Sequence, residues 1–131
     1  MFELVVEKTF AAAHYLRNFS GPCERLHGHN YRVQVYVRGS RLNDSGMLLD
    51  FTEIKAALGD ILDRFDHQCL NDLPEFANVS PSAENIARNI GEAIGRRNWG
   101  GDVARVDANG PRVDRVQVWE TPIQAATYFL L

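Results

Sequence analysis

The chain has 131 residues, 45% hydrophobic and 24% charged, with 14 Lys and Arg against 17 Asp and Glu and a formal net charge of −3. That length suits one domain, residues 1–131, with a core of its own. The charge balance lacks the basic excess of a nucleic-acid binder, and no apolar run approaches the ~18 residues of a membrane span. Glu3 and Glu7 stand where a secretory signal would carry positive charge, so a cytoplasmic location is expected, with Cys23 and Cys69 as free thiols.

The first strand is predicted over Phe2 to Phe10, with Phe2, Leu4, Val6 and Phe10 on one face, interrupted by Lys8. Three alanines, Ala11 to Ala13, lead on to His14. Asn18 to Pro22 is Gly/Pro-punctuated loop, and the thiol of Cys23 follows it. His27-Gly28-His29 then heads a strand over Tyr31 to Val37 that alternates apolar and polar residues. In extended chain, residues two apart share a face, so His27 and His29 line up with Tyr31 and Val33.

Gly39 to Gly46 reads as a turn, and Met47 to Leu49 as a short strand segment. Asp50 and Glu53 have capping-box spacing before a helix whose stripe is Ile54, Leu58, Ile61, Leu62 and Phe65, ending near Asp66-His67. A connection over Gln68 to Val79 leads to Ser80-Pro81, read as an N-cap with proline at the first helical position. The second helix reaches about Arg97, with Gly91 and Gly95 allowing close packing. Residues Trp99 to Pro111 hold two turn signals around a short strand, Val103 to Val106. Strands over Arg112 to Glu120 and Gln124 to Leu131 flank a turn at Thr121-Pro122. The order ββ-α-α-ββ predicts an α+β fold: a four-stranded antiparallel sheet covered on one face by two helices.

Three imidazoles, His14, His27 and His29, form a nitrogen-rich set that suits zinc and leaves a fourth position open. Cys23, a few residues from such a site, would be favoured as thiolate and serve as a fourth ligand or as a base. Asp66 can orient the ring of His67, although on the dipeptide alone a simple helix cap is the favoured reading. Glu120, at a strand end, can accept two hydrogen bonds from the N–H/NH₂ edge of a guanine-like ring, or be a solvated charge. Cys69 has no ligand spacing and reads as structural. No His-Glu-x-x-His helix supports a zinc hydrolase.

Taken together, Ala12-Ala13-His14, Cys23-x₃-His27-Gly28-His29-Asn30-Tyr31, Asp66-His67, Pro81-Ser82-Ala83-Glu84-Asn85 and Trp119-Glu120-Thr121-Pro122 resemble the 6-pyruvoyltetrahydropterin synthase / 6-carboxytetrahydropterin synthase family over nearly the whole chain. The resemblance implies the tunnelling fold and a homo-oligomer, typically a hexamer of two trimers with interfacial active sites. It implies Zn²⁺ on His14, His27 and His29, Cys23 as catalytic thiol, and Asp66 with His67 as a partner dyad from a neighbouring subunit. Glu120 matches the carboxylate that anchors the pterin ring. Ser82 stands where threonine is common in the family, and the 99–111 loop matches no family motif.

Three residues between Cys23 and His27 resemble the bacterial 6-carboxytetrahydropterin synthases of queuosine synthesis. These lyases convert the pterin triphosphate 7,8-dihydroneopterin triphosphate to 6-carboxytetrahydropterin, acetaldehyde and triphosphate. The sister pyruvoyl-forming activity, with its longer spacing, is the alternative. A non-catalytic zinc-stabilised pterin-binding module is another, but such a module would tolerate loss of the Cys23 and His67 that this chain keeps.

Overall fold

In the computed structural model of the chain, the described residues are 1–18, 21–97, 99 and 108–130. Two long strands, β1 (Phe2–His14) and β2 (His27–Gly39), form the first antiparallel pair. After them come α1 (Phe51–Leu62), a two-residue β3 (Gln68–Cys69), α2 (Ala83–Gly95), β4 (Arg112–Thr121) and β5 (Gln124–Phe129). The sheet order is β3-β1-β2-β4-β5. The expected α+β plan holds, with a sheet of five strands instead of four. The added strand, β3, runs parallel to β1 through Ala12 and Ala13. Two residues are too few to show a period of two, and pairing with β1 alone makes them a strand.

One face of the sheet is apolar because β1, β2 and β4 alternate in step. Val6, Phe10, Tyr31, Val33, Val35, Val116 and Val118 are all buried there. The helices cover this face with Ile54, Ala57, Leu58 and Leu62 from α1 and Ile86, Ala87, Ile90 and Ile94 from α2. Gly91 lets the last strand come close: a Cβ there would sit 2.7 Å from the Tyr128 ring. The other face is a polar lattice without helices, in which Arg115 and Arg38 bind Glu3, and Arg32 binds Glu7.

Several boundaries differ from the sequence-based expectation. β1 runs four residues past Phe10, to His14, because its register with β2 continues through Ala12↔His29 and His14↔His27. Weak strand formers are carried there by ladder hydrogen bonds. Met47 to Leu49 is loop, its Leu48 and Leu49 buried as core plugs. Helix α1 ends at Leu62, and a turn spans Asp63 to His67. Asp50 caps α1 by accepting from the Thr52 N–H at 2.8 Å. For α2 the cap is Ser82, accepting from the Asn85 N–H at 3.2 Å, so the helix starts after Pro81 and ends at Gly95. Ser80 is used elsewhere, taking the Arg17 N–H at 2.8 Å. The strand expected at Val103 to Val106, and Leu131 at the end of β5, lie outside the described residues. Among the described residues, no helix is long and apolar enough to cross a membrane.

Candidate metal centre and adjoining pocket

The long β1–β2 pair sets His14 directly across from His27, with His29 two residues further on and on the same face. Next along the sheet, β4 shifts register against β5 between Trp119 and Thr121, at Glu120. Such a bulge re-aims one side chain. Here the carboxylate comes to the imidazoles: Glu120 Oε1 lies 3.3 Å from His14 Nε2 and 3.4 Å from His29 Nε2. The Nε2 atoms of His14 and His27 are 3.0 Å apart. One donor atom from each of His14, His27, His29 and Glu120 falls within 4.8 Å of the others, and Cys23 is not among this group.

Backbone carbonyls settle which nitrogens carry protons. His14 Nδ1 donates to the Pro81 carbonyl at 2.7 Å, and His27 Nδ1 to the Arg25 carbonyl at 2.6 Å. Their Nε2 lone pairs therefore point into the cluster. Burial pushes the pKa of both His14 and His29 below the ordinary histidine value. With its Nδ1 proton held by the Pro81 carbonyl, His14 turns a bare Nε2 toward the Glu120 carboxylate. His29 Nε2 is buried with no hydrogen-bond partner. A buried nitrogen without a partner beside converging lone pairs is a set of groups that a cation satisfies. The donors are also the right kind and spacing. Ligand atoms around four-coordinate zinc lie ~3.3 Å apart for bonds of ~2.0–2.1 Å. The residues present therefore fit a divalent metal of zinc type.

Tyr31, also unassigned in the sequence, supports the centre from beneath. Its buried hydroxyl lies 3.1 Å from His14 Nδ1, and burial raises its pKa, keeping it protonated. Its parity with His29 was the signal that could have found it. No sequence signal marks the Pro81 and Arg25 carbonyls, because any residue supplies one.

Glu120 also lines a pocket of about 200 Å³ with Leu16, Ser82, Ala83, Glu84 and Gln124. Ser82, Ala83 and Glu84 in this lining belong to the stretch Pro81 to Asn85 singled out in the sequence. Cys23 is exposed in a 3₁₀ turn, Pro22–Glu24. Its carbonyl accepts the Leu16 N–H at 2.8 Å, tying the turn to the pocket wall.

Asp66 and His67 lie apart from this group. His67 Nδ1 is 2.9 Å from Asp66 Oδ2, and the His67 side chain is 82% exposed. The pair grips β1 at Ala11. Asp66 Oδ1 accepts the Ala11 N–H at 2.9 Å, and the His67 N–H donates to the Ala11 carbonyl at 2.6 Å. To do so His67 adopts a left-handed backbone, φ 59°, uncommon for a residue with a Cβ. These bonds, Ala11 first and His67 second, hold Asp66 below its ordinary pKa. His67 opens onto a groove of about 540 Å³ lined also by Ala11, Ala13, Gly28, Asn30 and Cys69. Cys69, expected to be structural, is half-buried in that wall.

A two-helix, mostly antiparallel α+β fold with a His₃–carboxylate cluster beside a small pocket defines a metal-associated enzyme class of tunnelling-fold type. The family model for 6-pyruvoyl tetrahydropterin synthase matches residues 3–130, and the chain belongs to that family of pterin synthases. It is similar to a 6-carboxy-5,6,7,8-tetrahydropterin synthase of Synechocystis sp., 36% identical over 135 residues, 98% of this chain and 94% of the relative. A Bacillus subtilis protein of the same name is 33% identical, covering 97% of this chain and 84% of its own. Among solved structures, 6-pyruvoyl tetrahydropterin synthase of Caenorhabditis elegans superposes with a TM-score of 0.84 at 26% identity, covering 99% and 96% of the two chains.

Proposed function

We propose that the protein is a zinc-dependent 6-carboxytetrahydropterin synthase. It takes 7,8-dihydroneopterin triphosphate to 6-carboxytetrahydropterin, with release of acetaldehyde and triphosphate, as a step toward queuosine-type 7-deazapurines. The observation that carries the reading is the cluster of three imidazoles opening, through Glu120, onto a pocket sized for a small ring. The three-residue spacing from Cys23 to His27 and the full-length likeness to carboxy-forming relatives favour this product over the pyruvoyl one.

In this reading His14, His27 and His29 hold the zinc, which supplies Lewis acidity toward the hydroxyls of the substrate side chain. Glu120 accepts the N–H and NH₂ of the pterin edge, fixing the ring in the pocket against Ser82 and Ala83. Cys23, at the rim, removes a proton from the side chain. His67, its ring oriented by Asp66, moves a proton on the opposite side. Each such positioned acid or base is worth ~10²–10⁴-fold. The exposure of His67 supports a homo-oligomer, hexameric by resemblance, in which the dyad serves a neighbour's pocket. Among the described residues, the outer edge of β1 beyond its short pairing with β3, the outer edge of β5 and the polar face are left uncovered, and they are surfaces through which chains can associate.

Mass spectrometry of the products from zinc-loaded protein and 7,8-dihydroneopterin triphosphate tests the assignment. 6-Carboxytetrahydropterin with acetaldehyde is expected. A pyruvoyl product would move the chain to the sister activity, and no turnover by folded, zinc-replete protein would sink the catalytic reading.

A further inference from the structure

Glu120 faces two ways. One oxygen sits 3.3 and 3.4 Å from two imidazole nitrogens, spacings like those between donor atoms on one zinc. The same side chain lines the pocket at the head of α2, and it is partly exposed there. It cannot give its full hydrogen-bonding capacity to a ring edge while one oxygen is turned into the metal cluster. We propose that Glu120 is the fourth metal ligand of the substrate-free protein, and that docking of a pterin ring withdraws it, opening the metal to the substrate side chain. This rests on the pterin reading and adds to it a coupling between the ring subsite and the metal.

The exchange balances simply. The carboxylate leaves the metal and accepts the N–H and NH₂ of the ring, and a water or a substrate hydroxyl takes the vacated position. Nothing is oxidised, and no proton need leave the site. The carboxylate in resting protein blocks the Lewis-acid position from adventitious ligands, and only a molecule with the right ring edge clears it. Imidazole is a neutral donor and carboxylate a negative one, so Glu120 is the one anionic group in the four-residue set and its loss changes the charge at the metal most. By linkage, whatever factor the ring takes from metal affinity, the metal takes from ring affinity.

The test uses full-length protein loaded with cobalt(II), as wild type and as Glu120→Gln, titrated with pterin bearing no side chain. The visible ligand-field spectrum reports the ligands, pterin fluorescence reports ring binding, and chelator competition reports zinc affinity. The expected result is that Glu120→Gln changes the cobalt spectrum and weakens zinc about tenfold or more, the scale of losing supporting interactions at a metal. Pterin should move the wild-type spectrum toward that of the variant and leave the variant's unchanged. Identical spectra for the two proteins, or pterin binding that leaves the wild-type spectrum untouched, would overturn the proposal. Absence of pterin binding would overturn both the exchange and the pterin reading, while an altered spectrum in Glu120→Gln would still identify a plain metal ligand. If Glu120→Gln does not fold, Glu120→Asp, whose carboxylate is drawn back by one methylene, carries the same comparison.

Discussion

The histidine cluster and the Asp66–His67 pair are both built on β1, three residues apart, yet they differ in nearly every physical respect. His14 is buried, its proton fixed by Pro81, and its free nitrogen meets three other donors from the same chain. His67 is exposed, with its ring Nδ1 2.9 Å from Asp66 Oδ2. The metal centre is thus assembled within one chain by strand register. The dyad is held firmly by its backbone but leaves the His67 ring exposed. A rigid mount with an exposed acid or base is what a site shared between chains requires.

The comparison breaks most decisively at the cluster itself. His29→Ala removes the orphaned Nε2 and should abolish tight zinc binding and turnover, read by metal content and product assay. Chelation of wild type should lower the melting temperature, whereas the same treatment should leave His29→Ala nearly unmoved. Cys23→Ala should lower turnover by ~10²–10⁴-fold while zinc content stays at wild-type level. Loss of zinc in that variant would make Cys23 a ligand instead.

The exposed dyad allows a sharper test. Cys23→Ala and His67→Ala chains should each be nearly inactive, and assembled together they should recover a measurable part of wild-type turnover. No recovery in confirmed mixed oligomers would place all the groups in one chain. A smaller effect is expected at Asn71, a buried side chain that accepts the Tyr15 N–H and donates to the Tyr15 carbonyl, both at 2.9 Å, just past His14. Asn71→Ala leaves both backbone groups unpaired and should cost ~1–3 kcal/mol in urea unfolding. It should also loosen zinc, because it frees the chain that carries His14.

Least in size is the pH effect at Asp66. Its folded pKa is depressed, so its contribution to stability is present above its unfolded pKa and lost as pH falls through the folded one. The urea midpoint of Asp66→Ala should lie below wild type at neutral pH, and the two should converge in acid. A gap that persists in acid would mean that the Ala11 hydrogen bond does not depend on the carboxylate's charge.

Much of this was legible from residue order. Alternation in β2 put His27 and His29 on the apolar face, and the stripe of the first helix named Ile54, Leu58, Leu62 and Phe65, which became core. Asp50 was legible as a cap because its partner, Thr52, is two residues away. Ser80 and Ser82 are chemically equal candidates, and the choice fell to Ser82 because the Ser80 hydroxyl meets Arg17, 63 positions away in sequence. β3 could not be read, since its two residues are strand only by leaning on β1.

The sequence by itself determined the periods, the donor types and the short spacings, because those depend on neighbours within a few residues. It supplied three imidazoles suited to zinc and a carboxylate at a strand end. Only the tertiary structure decided that His14 faces His27, that a bulge brings Glu120 to the nitrogens of His14 and His29, and that the His67 ring is left exposed. Those placements depend on strand register and on contacts between residues 13 to 67 positions apart, which no local pattern encodes.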